Sequence, residues 1–230
     1  MTVRRAIVLA DGDGPDRADL DAAWPGWDAD IDVVVAADGG ARLGARLGLR
    51  LDAWVGDGDS LDPADLDALR RAGIPVELVP AAKDESDAEL ALLAAIAAGA
   101  GDVTILGALG GARVDHALAG VALLGHPAAS GIAVRLLDGR TRVRLLAGPA
   151  PGGGPATLDL GGRVGDIVSL IPLDDAAGVT TGGLRYPLRD EPLPAGPARG
   201  LSNVRVDPAA AVMVRSGRLL VVEVDATLRQ

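Results

Sequence analysis

Residues 32–40 read DVVVAADGG, and residues 53–60 read AWVGDGDS. In each stretch a short apolar run ends in acidic residues and glycine, and a helical pattern follows. Short apolar runs rich in valine predict strands that are buried on both faces of a parallel sheet. Open sheets of this kind place their ligand sites at the carboxyl ends of adjacent strands. The two stretches therefore predict an α/β fold whose acidic side chains gather at one end of the strands.

The first 140 residues continue this alternation of strands and helices. We predict strands at Arg5–Ala10, Ile31–Ala36, Ala53–Val55, Val76–Val79, Val103–Leu106 and Ala133–Leu137. We predict helices at Gly40–Leu47, Pro63–Arg71, Asp87–Ala98 and Asp115–Leu124. Asp62 suits the N-cap of the second helix, and Ser86 with Glu89 forms a capping-box pattern before the third. Such alternation predicts a mostly parallel, Rossmann-like sheet with flanking helices.

The sequence pattern changes after residue 140, where short strand patterns replace the alternation of strands and helices. The proline- and glycine-rich segment Gly148–Pro155 predicts a loop. Short strands are predicted beyond it at Ala156–Leu160, Asp166–Ile171, Gly182–Leu188, Leu201–Val206, Ala211–Val214 and Leu219–Val224. Ser216-Gly217 is a hairpin signal between the last two strands. We therefore expect two domains, an α/β domain at 1–140 and a smaller antiparallel β-sandwich or barrel at 141–230.

Composition excludes several classes of protein. The chain of 230 residues has no cysteine, which excludes disulfides, zinc–thiolate sites, iron–sulfur clusters and a cysteine nucleophile. Val3–Ala10 predicts a strand and is too short for the core of a signal peptide. No run approaches the roughly 20 apolar residues of a membrane span. The formal charge of −10 disfavours a nucleic-acid partner. We expect a cytoplasmic protein that binds neither membrane nor nucleic acid.

Asp57 and Asp59 form the sharpest candidate for a cation site. Gly58 separates them, so the backbone can approach a ligand closely while two hard oxygen donors converge on one ion. This pattern suits Mg²⁺ carrying a polyphosphate. A solvated turn with an aspartate cap is the alternative for such a pair on its own.

Two further segments combine charge with a strand end and a helix start. Residues 83–90 read KDESDAEL, where a helix N-terminus and Lys83 favour phosphate and Asp87 is a candidate metal ligand. Acids in a first helical turn are also ordinary partners of the helix dipole. Residues 110–116 read GGARVDH, where the Arg113 fork suits a phosphate and Asp115 can orient that fork.

Together these segments resemble the motifs of the thiamine pyrophosphokinase family in order and spacing. The matching stretches of the first half are ADGG at 37–40, GDGDS at 56–60, KDESDAEL at 83–90 and GGARVDH at 110–116. Those of the second half are SLIPL at 169–173, VTTGGLRYPL at 179–188 and GLSN at 200–203. The resemblance spans nearly the whole chain, roughly residues 5–225.

The resemblance implies an enzyme that moves the pyrophosphoryl group of ATP to the hydroxyethyl oxygen of thiamine and releases AMP. It implies a homodimer with active sites at the interface, an α/β catalytic domain and a β-domain that binds thiamine and dimerises. The implied catalytic residues are Asp38, Asp57, Asp59 and Asp87. The implied Mg²⁺ ligands are Asp57, Asp59 and Asp87. The implied ATP contacts are Lys83, Arg113 and Asp115, and the implied thiamine contacts are Tyr186, Ser202 and Asn203.

The chain departs from the family pattern at several positions. Gly58 replaces a common phenylalanine, Ala112 is an extra residue before Arg113, and Tyr186 stands where tryptophan is frequent. Three other functions remain open at this point. The chain could be a diphosphokinase acting on another hydroxyalkyl heterocycle such as a pterin, a non-catalytic regulator that binds thiamine or nucleotide, or a metal-dependent phosphohydrolase.

Overall fold

A computed structural model describes residues 3–149 and 152–227 of the chain. The chain divides into two units, Met1–Gly139 and Arg140–Gln230. The predicted loop at 148–155 lies partly outside the described residues, because 150 and 151 are not among them. Among the described helices, none is long and apolar enough to cross a membrane.

Unit 1 alternates strands and helices along the chain. Its strands are β1 Arg5–Leu9, β2 Val33–Ala37, β3 Ala53–Gly56, β4 Val76–Leu78, β5 Asp102–Leu106 and β6 Ala133–Leu137. Its α-helices are α1 Arg17–Ala23, α2 Gly40–Leu47, α3 Pro63–Arg71, α4 Asp87–Ala97 and α5 Val114–Ala122. Two single-turn 3₁₀ helices follow α5, at Leu123–Gly125 and Pro127–Ala129. The predicted mostly parallel sheet with flanking helices is confirmed.

The six strands of unit 1 form a parallel sheet in the order β6-β5-β1-β2-β3-β4. The chain moves outward from β1 to β4 and then returns to the other side of β1 with β5. In open sheets the ligand crevice forms outside the carboxyl ends of the strands, at such a reversal. The loops after β1, β2, β3 and β5 therefore share the end of the sheet where a ligand is expected.

The sheet of unit 1 is covered on both faces. Ile7 and Val34 are paired neighbours on one face, where they pack with Leu20 of α1, Leu47 of α2 and the buried Trp54. Side chains alternate between faces along a strand, so Val8 and Val35 point the other way. Helix α4 packs against β1, β2 and β3 with Ala91, Leu92 and Ala95 fully buried. This double burial explains why the strands are continuous apolar runs.

Unit 2 is a β-sandwich. Its strands are β7 Thr141–Gly148, β8 Ala156–Asp159, β9 Ile167–Pro172, β10 Ala176–Gly182, β11 Glu191–Leu193, β12 Asn203–Val204, β13 Ala211–Val214 and β14 Gly217–Val224. The strands are antiparallel, and their order is β12-β9-β14-β7 in one layer and β11-β10-β13-β8 in the other. Val168, Leu170 and Leu219 of the first layer pack with Val179 and Val212 of the second. The predicted antiparallel sandwich is confirmed.

Two predictions for unit 2 are wrong. Residues 182–188 do not continue as a strand after β10 ends at Gly182, because Gly183 has φ +70° and Pro187 cannot donate to a ladder. Ser216-Gly217 does not close a hairpin. β13 pairs with β8 and β10, whereas β14 pairs with β7 and β9, so this short link carries the chain from one layer to the other.

Helix starts follow the predicted pattern only in part. Asp62 has the extended backbone of an N-cap, but its side chain makes no capping hydrogen bond. Ser86 caps α4, since its hydroxyl accepts from the backbone N–H of Glu89 at 3.2 Å. The Glu89 carboxylate bonds His126 rather than the backbone of Ser86, so only half of the capping box forms. Helix α5 ends at Ala122, and Leu123 and Leu124 continue as a 3₁₀ turn.

Candidate active site

Asp38 lies at the carboxyl end of β2, and its backbone is held firmly in place. Its N–H donates to Val55 O at 2.9 Å, and its carbonyl accepts from Trp54 Nε1 at 2.8 Å. The backbone has φ +45°, in the left-handed region that aspartate and asparagine tolerate better than most residues. Only 4% of the residue is exposed, and its Oδ1 is buried without a hydrogen-bond partner. The chain thus buries a carboxylate oxygen with no protein donor.

The turn after β3 carries Asp57 and Asp59. Gly58 between them has φ +80°, a conformation that glycine adopts without a steric penalty. Asp57 Oδ1 accepts from the backbone N–H of Asp59 at 3.1 Å, and Asp59 Oδ1 accepts from Ser60 Oγ at 3.1 Å. These bonds use one oxygen of each carboxylate. The turn therefore fixes the direction of both carboxylates relative to β3.

The ends of β2 and β3 bring Asp38, Asp57 and Asp59 together. One carboxylate oxygen from each lies within 4.8 Å of the others. Lys83, in the segment before α4, joins this acidic triad. Its Nζ lies 2.9 Å from Asp87 Oδ1 and 3.9 Å from Asp57 Oδ2. Five residues that the sequence singled out as separate motifs thus form one group, in which Asp87 contacts Lys83.

The charges of this group alter its proton affinities. Burial raises the pKa of Asp38 to about 6, and the neighbouring Asp59 and Asp87 add to the rise while a hydrogen bond from Ser60 opposes it. Burial lowers the pKa of Lys83, but the hydrogen bond and charge of Asp87 and the charge of Asp57 outweigh burial and raise it overall. The triad thus repels its own negative charge and attracts a cation.

The acidic triad fits a divalent cation. Three convergent carboxylates supply the hard oxygen ligands that Mg²⁺ prefers. Asp38 also carries a buried oxygen, Oδ1, that has no hydrogen-bond partner. A cation between the three carboxylates would offset their mutual repulsion and the cost of burying Asp38. Asp87 stands beside the triad and shares Lys83 with Asp57. The donor set therefore has the composition expected for Mg²⁺ bound to a polyphosphate.

Arg113 and Asp115 are paired with each other. Arg113 Nε and Nη2 donate to the two carboxylate oxygens of Asp115 at 2.9 and 2.6 Å. The guanidinium hydrogen bonds lower the pKa of Asp115 below its ordinary range. Both side chains are exposed in the loop and first turn after β5, at the sheet end that also carries the triad. Asp115 therefore uses the Nε and Nη2 edge of the guanidinium, and a phosphate would bind the N–H groups that this pair leaves over.

The three predicted thiamine residues lie in unit 2 near one another. Asn203 Oδ1 accepts from the backbone N–H of Tyr186 at 3.0 Å, and Asn203 Nδ2 donates to the Tyr186 carbonyl at 2.8 Å. The N–H of Ser202 donates to Ser169 Oγ at 3.0 Å. The Tyr186 side chain is 65% exposed. Asn203 therefore fixes the backbone that presents an exposed aromatic ring.

Sequence reasoning missed the loop after β1. Residues 10–14 read ADGDG, and the carboxylate of Asp11 lies so close to Gly39 that a Cβ there would collide with it. Gly12 and Gly110 pack backbone against backbone, with the Gly12 N–H donating to Gly107 O at 3.0 Å. Acid and glycine after an apolar run is the same signal that marked residues 37–40 and 56–60. It could have identified this loop.

Comparisons with known proteins match both halves of the chain to thiamin pyrophosphokinases. Residues 27–136 match the family described as "Thiamin pyrophosphokinase, catalytic domain", and residues 157–220 match "Thiamin pyrophosphokinase, vitamin B1 binding domain". A thiamine pyrophosphokinase of Bacillus subtilis strain 168 is 27% identical over 168 residues, which are 73% of this chain and 75% of that protein.

Solved structures agree with the sequence matches. A thiamin pyrophosphokinase family protein from Enterococcus faecalis has a TM-score of 0.78 at 26% identity, covering 97% of this chain and 100% of its own. The thiamin pyrophosphokinase of Candida albicans shares the fold at 16% identity, with a TM-score of 0.69 and coverage of 97% and 90%. With both halves matched in order, and with the acids of its first half gathered at the strand ends, the chain belongs to the thiamin pyrophosphokinase family.

Proposed function

We propose that this protein makes thiamine diphosphate by transferring the pyrophosphoryl group of ATP to the hydroxyethyl oxygen of thiamine. The thiamine oxygen forms a bond to the β-phosphorus, the bond between the α- and β-phosphates breaks, and AMP leaves. The acidic triad, beside a lysine and in a chain with both thiamin pyrophosphokinase matches, is the observation that carries this proposal.

The residues of unit 1 bind and orient the nucleotide. We assign Asp57, Asp59 and Asp87 to Mg²⁺, with the carboxylate of Asp38 beside them. When it is bound, Mg²⁺ would neutralise phosphate charge. Four carboxylates alone would repel the phosphates. Lys83 then contacts the phosphates as a point charge, and Arg113 contacts them with the guanidinium N–H groups that Asp115 does not use, while Asp115 orients the guanidinium.

Transfer between oxygens needs positioning and charge neutralisation more than covalent help from the protein. The thiamine hydroxyl must lose a proton as its oxygen attacks. We assign that proton to a carboxylate of the acidic triad, either Asp38 or Asp59. Tyr186, Ser202 and Asn203 of unit 2 bind thiamine. Thiamine has flat rings and one positive charge, and both features suit a position against the exposed tyrosine ring.

We further propose that the protein works as a cytoplasmic homodimer with active sites at the interface. Unit 1 is then the catalytic domain that binds metal and nucleotide, and unit 2 is the domain that binds thiamine and dimerises. The acids of one chain would face Tyr186 of the other chain. A closed two-fold arrangement gives two equivalent sites of this kind.

Release of AMP tests the proposed function. The protein is incubated with ATP and Mg²⁺, and AMP is measured with no acceptor, with thiamine and with a hydroxymethylpterin. We expect AMP to form only when thiamine is present, in equal amount to thiamine diphosphate. AMP formation that does not depend on an acceptor would instead indicate hydrolysis, and dependence on the pterin would indicate a different diphosphokinase.

A further inference from the structure

We propose that His126 is a positioning residue for the magnesium–ATP site and that it acts through Glu89 and the first turn of α4. This inference rests on the proposed function. His126 lies between the two 3₁₀ turns that follow α5. This segment belongs to none of the motifs named in the sequence analysis.

The hydrogen bonds of His126 define its role. The backbone N–H of Ala128 donates to His126 Nδ1 at 3.1 Å, so Nδ1 is the acceptor nitrogen of the ring. The proton is therefore assigned to Nε2, which lies 3.2 Å from Glu89 Oε1 and donates to it. A neutral imidazole makes both bonds. Pro127 favours the extended backbone that His126 adopts, and the two hydrogen bonds hold the ring.

Glu89 gives up a local bond to make this contact. In a complete capping box its carboxylate would reach back to the backbone N–H of Ser86. Here Ser86 Oγ still accepts from the Glu89 N–H, but the carboxylate turns to His126. Such departures from a local rule are expected where a functional constraint applies. The first turn of α4 is thus tied to a distant segment of unit 1.

That turn needs an anchor because burial does not provide one. The residues from Asp87 to Leu90 are only partly buried, and the first fully buried residue of α4 is Ala91. The side chains of His126 and Glu89 are 21% and 25% exposed, so their bond is sheltered from most of the solvent. It therefore ties the first turn of α4 to the segment between the two 3₁₀ turns.

The same turn carries a site residue. Asp87 holds Lys83 Nζ at 2.9 Å, and Lys83 lies 3.9 Å from Asp57. A shift of this turn would move Asp87 and Lys83 relative to the acidic triad. Residues that orient metal ligands in this way typically change metal affinity or activity by about 10- to 100-fold when they are replaced.

A matched pair of variants isolates the contact. In His126→Asn, the amide oxygen can replace Nδ1 as acceptor for Ala128, but the donor to Glu89 is lost. In His126→Gln, the amide nitrogen can replace Nε2 as donor to Glu89. Binding of Mg²⁺ with α,β-methylene-ATP, whose α–β linkage cannot be cleaved, is measured by calorimetry. The Tm in EDTA and the KM values for ATP and thiamine complete the comparison.

We expect His126→Asn to bind the complex of Mg²⁺ with α,β-methylene-ATP about tenfold more weakly than wild type. The KM for ATP should rise by a similar factor, and the KM for thiamine should not change. His126→Gln should bind within about twofold of wild type. Glu89→Ala should match His126→Asn, and the double variant should lose no more than either single one, since both act through one contact.

Unchanged analogue binding in His126→Asn would overturn the inference, as would a lower Tm with normal binding, which indicates a purely structural role. Failure of wild type to bind the analogue would overturn it together with the magnesium–ATP site. Normal analogue binding by wild type without thiamine-dependent AMP release would contradict the proposed function alone.

Discussion

At the scale of single residues, burial of the Asp38 carboxylate lowers the stability of the fold. Its Oδ1 is buried without a donor, and other carboxylates stand nearby. An ionised carboxyl in that position opposes folding, because burial disfavours the charged form. The same features prepare the residue for a cation. If the proposed metal binds here, Asp38 lowers the stability of the metal-free protein and raises its affinity for the metal.

Asp38→Asn tests this exchange. The pKa of Asp38 is raised from 3.8 to about 6 in the fold, so its ionised form destabilises the protein above pH 6 and this penalty declines as the pH falls from the folded pKa to the unfolded value of 3.8. Between pH 8 and pH 5 we expect wild type in EDTA to gain about 1.4 kcal/mol of unfolding free energy from this group, which corresponds to about one unit of pKa. The Asp38→Asn variant should lack the gain and be more stable than wild type at pH 8.

Urea unfolding of both proteins across this pH range measures the effect. Asparagine tolerates the positive φ of this position, so backbone strain does not confound the comparison. A wild type that loses stability relative to the variant as the pH falls would contradict the assignment of this penalty to Asp38.

Asp57→Asn should separate folding from activity. The asparagine oxygen can still accept the Asp59 N–H, so the turn after β3 is kept while the ligand charge is lost. We expect turnover to fall about 100-fold or more at saturating ATP and Mg²⁺. Asp67→Asn, which changes an exposed acid on α3, is the control and should retain activity. Near-normal turnover by the Asp57 variant would remove this residue from the site.

At the scale of elements, local signals predicted unit 1 well. Helices α2 and α3 have the predicted bounds, because Gly39-Gly40 and Asp62-Pro63 mark their starts and Gly48 and Gly73 follow their ends. Helix α1 was missed. It has seven residues of which only Leu20 and Ala23 are buried, which is too short for a helical period to appear.

Tertiary partners limited the prediction for unit 2. β7 was missed because Arg142 and Arg144 interrupt its apolar pattern, and both pair with the buried Glu223 of β14. β10 was also missed, because its sequence AAGVTTG is rich in alanine and glycine, which have weak strand propensity. The strand ends predicted that the acids of residues 37–40 and 56–60 gather at one end of the sheet, whereas Asp87, the third predicted metal ligand, lies beside the triad and contacts Lys83. The bonds of Asn203 to Tyr186 and of His126 to Glu89 carried no sequence signal, because their partners are distant in the chain.

Lys83→Ala tests how the segment before α4 cooperates with the turn after β3. Lys83 bridges Asp87 and Asp57, and a bound polyphosphate would compete for its ammonium group. We expect the KM for ATP to rise about tenfold with little change in the KM for thiamine. Lys83→Arg should recover part of the loss, since the charge remains but its geometry differs. Steady-state kinetics with each substrate varied in turn measures both KM values. An unchanged KM for ATP in Lys83→Ala would show that Lys83 does not contact the phosphates.

At the scale of the whole molecule, the two units divide the chemistry. The acids that suit magnesium and phosphate belong to unit 1, and the exposed aromatic ring belongs to unit 2. The chain carries a formal charge of −10 and would repel free ATP at its acidic triad. ATP is thus expected to bind only as its magnesium complex.

Mixed dimers test whether the site is shared between chains. Asp57→Asn and Tyr186→Ala should each be nearly inactive. After co-refolding, each heterodimer would contain one site with both defects and one intact site, so about a quarter of all sites would be active with random pairing. Native mass spectrometry counts the heterodimers. Their presence without recovered activity would place both residues in the site of one chain.

The fate of labelled ATP tests the central claim most directly. The protein is given thiamine, Mg²⁺ and ATP labelled with ³²P at either the α or the γ position, and the products are separated. Transfer of a pyrophosphoryl group predicts that the γ label appears in thiamine diphosphate and the α label in AMP. Appearance of the γ label in thiamine monophosphate with the α label in ADP, or of label only in free phosphate or pyrophosphate, would contradict the account.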